Sequence, residues 1–292
     1  MSFEITTAFV KQYHSNVDFL SQQKGSRLRD AVRTETQEGK EAYYDQIGPT
    51  AARKRTSRHS DTPLISTPHA RRRTTLVDYD WADLIDDMDK VRTLINPQSM
   101  YAQNAAFAMG RSMDDEIISA FYGSAAAGEE GGTATTFDTS NNQIAVNLGG
   151  SNIGLTIAKL IRAKRIMDGW DIDPDIPRYI ACHAKQIEDL LGTTQITSSD
   201  YNTVKALAAG QLDSFLGFKF IQIERLPLDA NSYRRVMAWA KDGMLMAIGQ
   251  ESKANISQRA DKNYSTQVFY SMSIGAVRME EKKCVEILCL ET

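Results

Sequence analysis

The residues best equipped for chemistry in this chain are four histidines, three cysteines and several runs of carboxylates. His14, His59, His69 and His183 include no HExxH pair and no cysteine at zinc-ligand spacing, so no metal site is expected. Cys182 and His183 are adjacent, as a nucleophile and its base might be imagined, but neighbours on a strand point to opposite faces. A structural role is expected for both. Cys284 and Cys289 lie in an apolar stretch, where a thiol behaves as a small hydrophobe. An odd cysteine count without CxxC spacing argues against a disulfide framework and suits a reducing cytoplasm.

Acidic motifs fare no better. Asp171, Asp173 and Asp175 imitate a cation loop, yet Ile176 and Cys182 stand where a calcium loop needs Gly and Glu. Pro174 and Pro177 mark that stretch as a turn. The run GEEGGTATT from Gly128 lacks the GxxxxGK[ST] phosphate loop, and no strand–GxGxxG–helix unit occurs. Carboxylate pairs (Asp114–Asp115, Glu129–Glu130, Glu280–Glu281) are too numerous for one to stand out as an acid/base dyad. The expectation is a protein that catalyses nothing and holds no cofactor.

Charge is informative once laid along the chain. The 292 residues carry a net charge of only −3, with 42% hydrophobic and 24% charged residues, an ordinary globular composition. Between Arg53 and Arg73, however, seven cations (Arg53, Lys54, Arg55, Arg58, Arg71, Arg72, Arg73) face one anion, Asp61. Six anions follow without a cation: Asp78, Asp80, Asp83, Asp86, Asp87 and Asp89. Adjacent blocks of opposite sign suit a chain that binds its own copies, because heterologous contacts close into rings and shells. Arginine forks match carboxylates in two-point contacts. We therefore expect Arg71, Arg72 and Arg73 to meet an Asp83/Asp86/Asp87/Asp89 face on another subunit. The rival is a nucleic-acid-binding structural protein using loop 53–73, although no aromatic residue is interleaved there for base stacking.

The elements that would position these blocks follow from periodicity. Residues 1–20 carry apolar side chains in need of a covering surface, and residues 21–40 are polar. Residues 43–78 are too polar for a core, and their length points to a projection carrying short strands at Thr62–Thr67 and Arg73–Val77. Helical spacing is read over 81–95, where Asn96-Pro97 ends it, and again over Ser99–Phe121, with Ser99 as N-cap and Gly123 after the end. At about 1.5 Å per residue the second helix is a rigid spine. Residues 123–152 read as a surface excursion or hairpin. A helix at 155–168, a buried strand at Arg178–Cys182, short helices at His183–Leu191 and Asn202–Leu212, and a strand at Phe218–Ile223 come next. From Arg235 the chain turns to strands, with a hairpin turn at Asp242-Gly243, then Val268–Val277 and Cys284–Leu290. The sum is α+β. No apolar run approaches the ~20 residues of a membrane span and no signal peptide is apparent, so no membrane partner is expected.

Three long runs carry a family resemblance. TPHARRRTTLVDYDWADLIDDMDKVRTLINPQSMYAQNAAFAMGRSMDDEIISAFYG (Thr67–Gly123), GLTIAKLIRAKRIMD (Gly154–Asp168) and AWAKDGMLMAIG…QRADKNYSTQVFYSMSIGAVRMEEKKCVEI (Ala238–Ile287) resemble the major capsid proteins of tailed bacteriophages. They span about half the chain. That family is similar to the Hong Kong 97 phage capsid fold, which implies an N-terminal arm at 1–38 and an extended E-loop at 39–78. It further implies a P-domain from 79–150 with spine helix 99–121, an A-domain at 151–230 and a β-rich return at 231–292. The resemblance implies hexamers and pentamers of an icosahedral head around double-stranded DNA, assembled in the host bacterial cytoplasm. Implied partners are other copies of the chain, a separate scaffolding protein, a portal and a decoration protein. Some relatives cross-link through a lysine and an asparagine; Lys54 lies in this loop, and no motif identifies its partner, so that chemistry is not carried over.

Overall fold

A computed structural model describes residues 20–58, 61–62, 64–85, 98–192 and 214–291. A 3-10 turn at Arg29–Ala31 leads into β1 (Arg33–Thr36), β2 (Glu41–Ile47), β3 (His69–Thr75) and β4 (Val77–Ile85). The long helix α1 (Gln98–Tyr122) is followed by β5 (Ala125–Ala127), β6 (Thr133–Thr135), the single turn α2 (Thr139–Asn142) and β7 (Gln143–Ile144). Next come α3 (Ile157–Gly169), β8 (Arg178–Cys182), α4 (Ala184–Leu191), β9 (Ser214–Phe215) and β10 (Phe218–Gln222). The chain closes with β11 (Arg234–Ala240), β12 (Met244–Arg259), β13 (Ser265–Arg278) and β14 (Cys284–Cys289). The described strands form three sheets, ordered β1-β12-β13-β4, β7-β14-β11-β8-β10-β9 and β2-β3-β5-β6.

The fold is α+β with α1 as its spine, as the spacing of Ala105, Met109, Met113, Ile117 and Phe121 predicts. All five are buried. Strict alternation in the six-stranded sheet explains the layering. Ala181, Met237, Trp239 and Cys284 face the cluster containing α1, whereas Ile180, Cys182, Val236, Ala238, Val285 and Ile287 face Leu160, Ala163 and Met167 of α3. The sheet is thus sandwiched between the spine and α3. β13 also packs on α1, so the last segment rejoins the early helix.

Two devices tie the segment before β1 to the body. Asp114, fully buried, accepts hydrogen bonds from Ser26 Oγ (2.6 Å), the Arg27 amide (3.1 Å), the Leu28 amide (3.0 Å) and the Gln23 side chain. Arg111 donates to the Gln23 carbonyl at 3.1 Å. The crossing is so close that a Cβ on Gly110 would lie 2.5 Å from the Gly25 backbone. Trp239 then donates to the Ala31 carbonyl at 2.9 Å from the core.

Several expectations are corrected. Residues 81–85 are strand, not helix: WADLI fits both periods, and pairing with β13 (Trp81 opposite Tyr270, Ile85 opposite Thr266) selects the extended form. The remainder of the expected helix, 86–95, and the expected helix 202–212 lie outside the described residues. Asp242-Gly243 makes no hairpin. A 3-10 turn at Lys241–Gly243 carries the chain from β11 in one sheet to β12 in another, and a Cβ on Gly243 would meet the Lys283 Cβ at 2.6 Å. The long hairpin is β12–β13 instead. Ser99 sits inside α1, which already includes Gln98. Gly123 does follow the helix, its amide donating to the Ser119 carbonyl at 2.8 Å.

Candidate inter-subunit contact surface

Strands β2 and β3 pair antiparallel, in register from Glu41–Thr75 to Ile47–His69. The described residues of the expected strand at Thr62–Thr67 form no strand; β2 takes its place, because Tyr43, Asp45 and Ile47 alternate with half-buried neighbours. The Gly48 amide donates to the Pro68 carbonyl at 2.8 Å and closes the paired region. The glycine-rich segment after α1 is the expected hairpin, β5–β6, and it extends the same sheet through Arg72–Ala127 and Arg73–Ala126.

This base is held by the three consecutive arginines. Arg72 is nearly buried: its Nε donates to the Met279 carbonyl at 3.1 Å, its Nη1 to Thr135 Oγ1 at 3.2 Å, and its Nη2 pairs with Glu281 at 3.4 Å. Arg71 grips both oxygens of Asp45 (2.6 and 3.3 Å), donates to the Glu129 carbonyl at 3.1 Å and lies over the Tyr43 ring. The hydrogen bond from Arg71 holds the exposed Asp45 carboxyl below its ordinary range. Arg73 meets Glu41 at 3.4 Å. Below them Arg278, fully buried, donates to the carbonyls of Phe121, Gly123 (2.8 Å) and Thr135 (3.1 Å) and pairs with Glu281. It satisfies carbonyls that the end of α1 leaves without intrahelical donors.

Beyond Gly48 the loop has a different character. Residues 49–58 are exposed, among them Arg53, Lys54, Arg55 and Arg58, and no strand or helix is assigned to the described residues between 49 and 68. Arg55 donates to the nearby Ser57 carbonyl at 3.0 Å. Leu64 is 97% exposed and Ile47 72%, with Ile65 half exposed. Apolar side chains presented this way on a projection ask for a covering surface. The charge blocks led the sequence reading past them; the available signal was two adjacent aliphatics, Leu64 and Ile65, inside a polar run.

The acidic block is split. Asp78 and Asp80 are exposed on one face of β4, and Asp83, half-buried, is on the other beside Tyr79 and Trp81. The single helical face expected for Asp83 with Asp86, Asp87 and Asp89 does not form at Asp83, whose Oδ1 accepts from the Leu84 amide at 2.8 Å. Asp86, Asp87 and Asp89 lie outside the described residues, as does His59.

The remaining reactive groups are structural. Cys182, Cys284 and Cys289 are free and buried, and burial pushes all three thiols up, Cys289 to about 12. Cys182 points into the core, whereas His183 begins α4 with Glu224 at 2.5 Å. Asp173 turns inward on the Asp175 amide (3.0 Å), as a turn residue does.

A spine helix packed on sheets, with a strand-paired loop whose described tip residues are exposed, is the Hong Kong 97 capsid fold. Its solved examples include the capsid of cyanophage P-SCSP1u (15% identity, TM-score 0.77, covering 100% of this chain and 96% of that one). The capsid of Ralstonia phage GP4 (9%, 0.76, covering 97% and 96%) and that of cyanophage Pam1 (14%, 0.73, covering 99% and 98%) are similar as well. The chain belongs to the phage capsid protein family, whose profile matches residues 5–291. It is a major capsid protein, a shell-forming component of the virion that associates with its own copies. A search of curated protein sequences returns no match.

Proposed function

We propose that this chain assembles into hexameric and pentameric capsomers of an icosahedral head enclosing double-stranded DNA, and that the loop tip supplies its principal contact with a neighbouring subunit. In this reading the arm is 1–38, the E-loop 39–78, the P-domain 79–150 with the return 231–292, and the A-domain 151–230. Assembly takes place in the host cytoplasm with scaffolding and portal partners, and the role is structural rather than catalytic.

The observation that carries the proposal is the exposure of Leu64, Ile65 and Ile47 on the same loop as the exposed Arg53, Lys54, Arg55 and Arg58. Magnitudes assign the roles. Burying one such aliphatic side chain stabilises a contact by about 1.5–3 kcal/mol, whereas an exposed ion pair contributes about 0.2–1 kcal/mol. The aliphatics anchor the tip, and the cations set its register against a neighbour's acids, Asp83, Asp86, Asp87 and Asp89. Arg71, Arg72 and Arg73 keep the base rigid while any second contact forms at the exposed edge of Arg71.

Limited trypsin digestion tests this. The free subunit is cut after the tip cations, and assembled shells protect those bonds; equal cleavage in both states would overturn the proposal. Reversing Asp86 and Asp87 to lysine impairs shell formation, and normal shells from that variant would remove the acids from the contact.

A further inference from the structure

Strand β12 changes character part-way along. Met244–Ile248 are buried, and every residue from Gly249 to Arg259 is exposed, whichever face of the sheet it lies on. The change coincides with two register shifts against β13, between Ile248 and Lys253, which bend a strand and sharpen its twist. It also coincides with the end of β1, which pairs with the outer edge of β12 only from Leu245 to Ile248. The Gln37 amide then closes on the Ile248 carbonyl at 2.9 Å. Further on, Lys253–Arg259 run in unbroken register with Ser271–Ser265 on one side. Among the described residues no strand pairs with the other side. Ladder geometry directs the N–H and C=O groups of alternate residues outward along such an edge. No proline interrupts it, and Ile256 is half exposed on it. At its end Asn263 and Tyr264 both adopt left-handed backbone (φ 49° and 57°), a costly conformation for an aromatic residue. Tyr264 is 64% exposed.

We propose that this free edge of β12 pairs antiparallel with the same edge of a second copy, about a two-fold axis, so that one sheet runs through two subunits. An open, regular edge accepts an extended strand through its backbone groups, and copies of this chain are its partners as a capsid protein. Charge selects the occupant and the register. The edge and the turn after it carry both signs in a mirrored order: Glu251, Lys253, then Arg259, Asp261. A two-fold axis normal to the sheet keeps each residue on its own face, so the pairing is centred on one residue. Centred on Ile256, it would set Lys253 against Arg259, which repel. Centred on Asn255, it would set Arg259 against Glu251, which lies in the shifted stretch and already meets Arg29. Centred on Ser257, it sets Lys253 against Asp261 of the other copy. Lys253 meets no carboxylate among the described residues, and Asp261 meets Arg259 at 2.8 Å. That register therefore joins Lys253 to an existing ion pair and leaves no like charges opposite. The contact is separate from the loop tip, and neither depends on the other.

A two-fold contact has a signature that a head-to-tail contact lacks: one residue on the axis meets its own counterpart. The test is disulfide cross-linking of the full-length chain carrying Ser257→Cys, assembled and then mildly oxidised. Cys182, Cys284 and Cys289 are buried and give little background. A covalent dimer on a non-reducing gel is expected from Ser257→Cys in assemblies, and none from the exposed control Asn231→Cys. Normal shells without that dimer overturn the proposal. A dimer from Asn255→Cys in place of Ser257→Cys overturns the register and the Lys253–Asp261 pair with it. A cross-link to a different protein would give the edge another occupant and refute self-pairing. Hydrogen exchange of the unaltered chain supplies a readout independent of any substitution: amides within 253–259 exchange more slowly in assemblies than in free subunits. Equal exchange in both states overturns the proposal. Ile256→Lys, at an exposed position, leaves the urea midpoint of the subunit unchanged and removes both the cross-link and the protection. Loss of the cross-link in closed shells faults this contact alone, whereas a chain that forms oligomers but never closed shells faults the icosahedral reading and leaves the cross-link measurable.

Discussion

The base and the tip of the projecting loop use the same side chain for opposite purposes. At the base, Arg71, Arg72 and Arg73 find Asp45, Glu281, Glu41 and two backbone carbonyls within reach. Ten to twenty residues away, Arg53, Arg55 and Arg58 extend into solvent. The difference is one of surroundings rather than residue type. β3 is flanked by β2, whose Asp45 and Glu41 meet Arg71 and Arg73, and Arg72 reaches Met279, Thr135 and Glu281, whereas no strand is adjacent to the described residues of the tip. An arginine held on several acceptors stiffens the subunit; one left without them waits for another molecule.

The comparison breaks most severely at Arg278. Replacing it with Met leaves the partly buried Glu281 carboxylate and the carbonyls at the end of α1 without their donor, and should destabilise the subunit by about 3–5 kcal/mol. The urea midpoint measures this, and a change under 1 kcal/mol would remove Arg278 from its proposed role at the base. Asp114→Ala leaves the Ser26, Arg27 and Leu28 donors without their acceptor. A loss of about 2–3 kcal/mol is expected in the same assay. Arg72→Met, which keeps most of the packing volume, costs about 1–2 kcal/mol through the unmet Met279 and Thr135 acceptors. Neutralising the four tip cations should shift the midpoint by no more than about 0.5 kcal/mol, yet reduce shell yield by electron microscopy. If that variant were as destabilised as Arg72→Met, base and tip would not differ in kind.

A smaller effect concerns pH. The side-chain hydrogen bond from Arg234 holds Glu291 below its ordinary range, with Gln186 and His183 adding to the effect. A carboxyl lowered on folding contributes stability that is complete above its unfolded value and is lost as pH falls through the folded value. The Arg234–Glu291 tie should therefore weaken only below about pH 4. Glu291→Gln should flatten the acid limb of a stability–pH curve and leave the neutral limb parallel; an unchanged acid limb would discount the tie.

Much of this architecture was legible because burial follows period. The apolar residues of α1 recur every four positions along one face, and β8, β10, β13 and β14 occur where short β-prone runs predict them. Errors fell where a local pattern was compatible with two partners. WADLI reads as helix or strand until β13 is opposite it. Asp-Gly at 242–243 reads as a hairpin until β11 and β12 enter different sheets. The roles of the base arginines were illegible for a related reason: Met279, Thr135 and Glu281 are more than sixty residues away from Arg72 in sequence, and nothing local marks them as acceptors. Composition and charge order drew attention to the loop; only packing shows which cations the subunit itself employs.

The most direct test of the central claim is a cryo-electron microscopy reconstruction of shells formed by this chain. The account predicts residues 50–68 seated on an adjacent subunit, with Leu64 and Ile65 buried there and the tip cations within ion-pair distance of its carboxylates. A closed shell in which that tip stands free in solvent would contradict it.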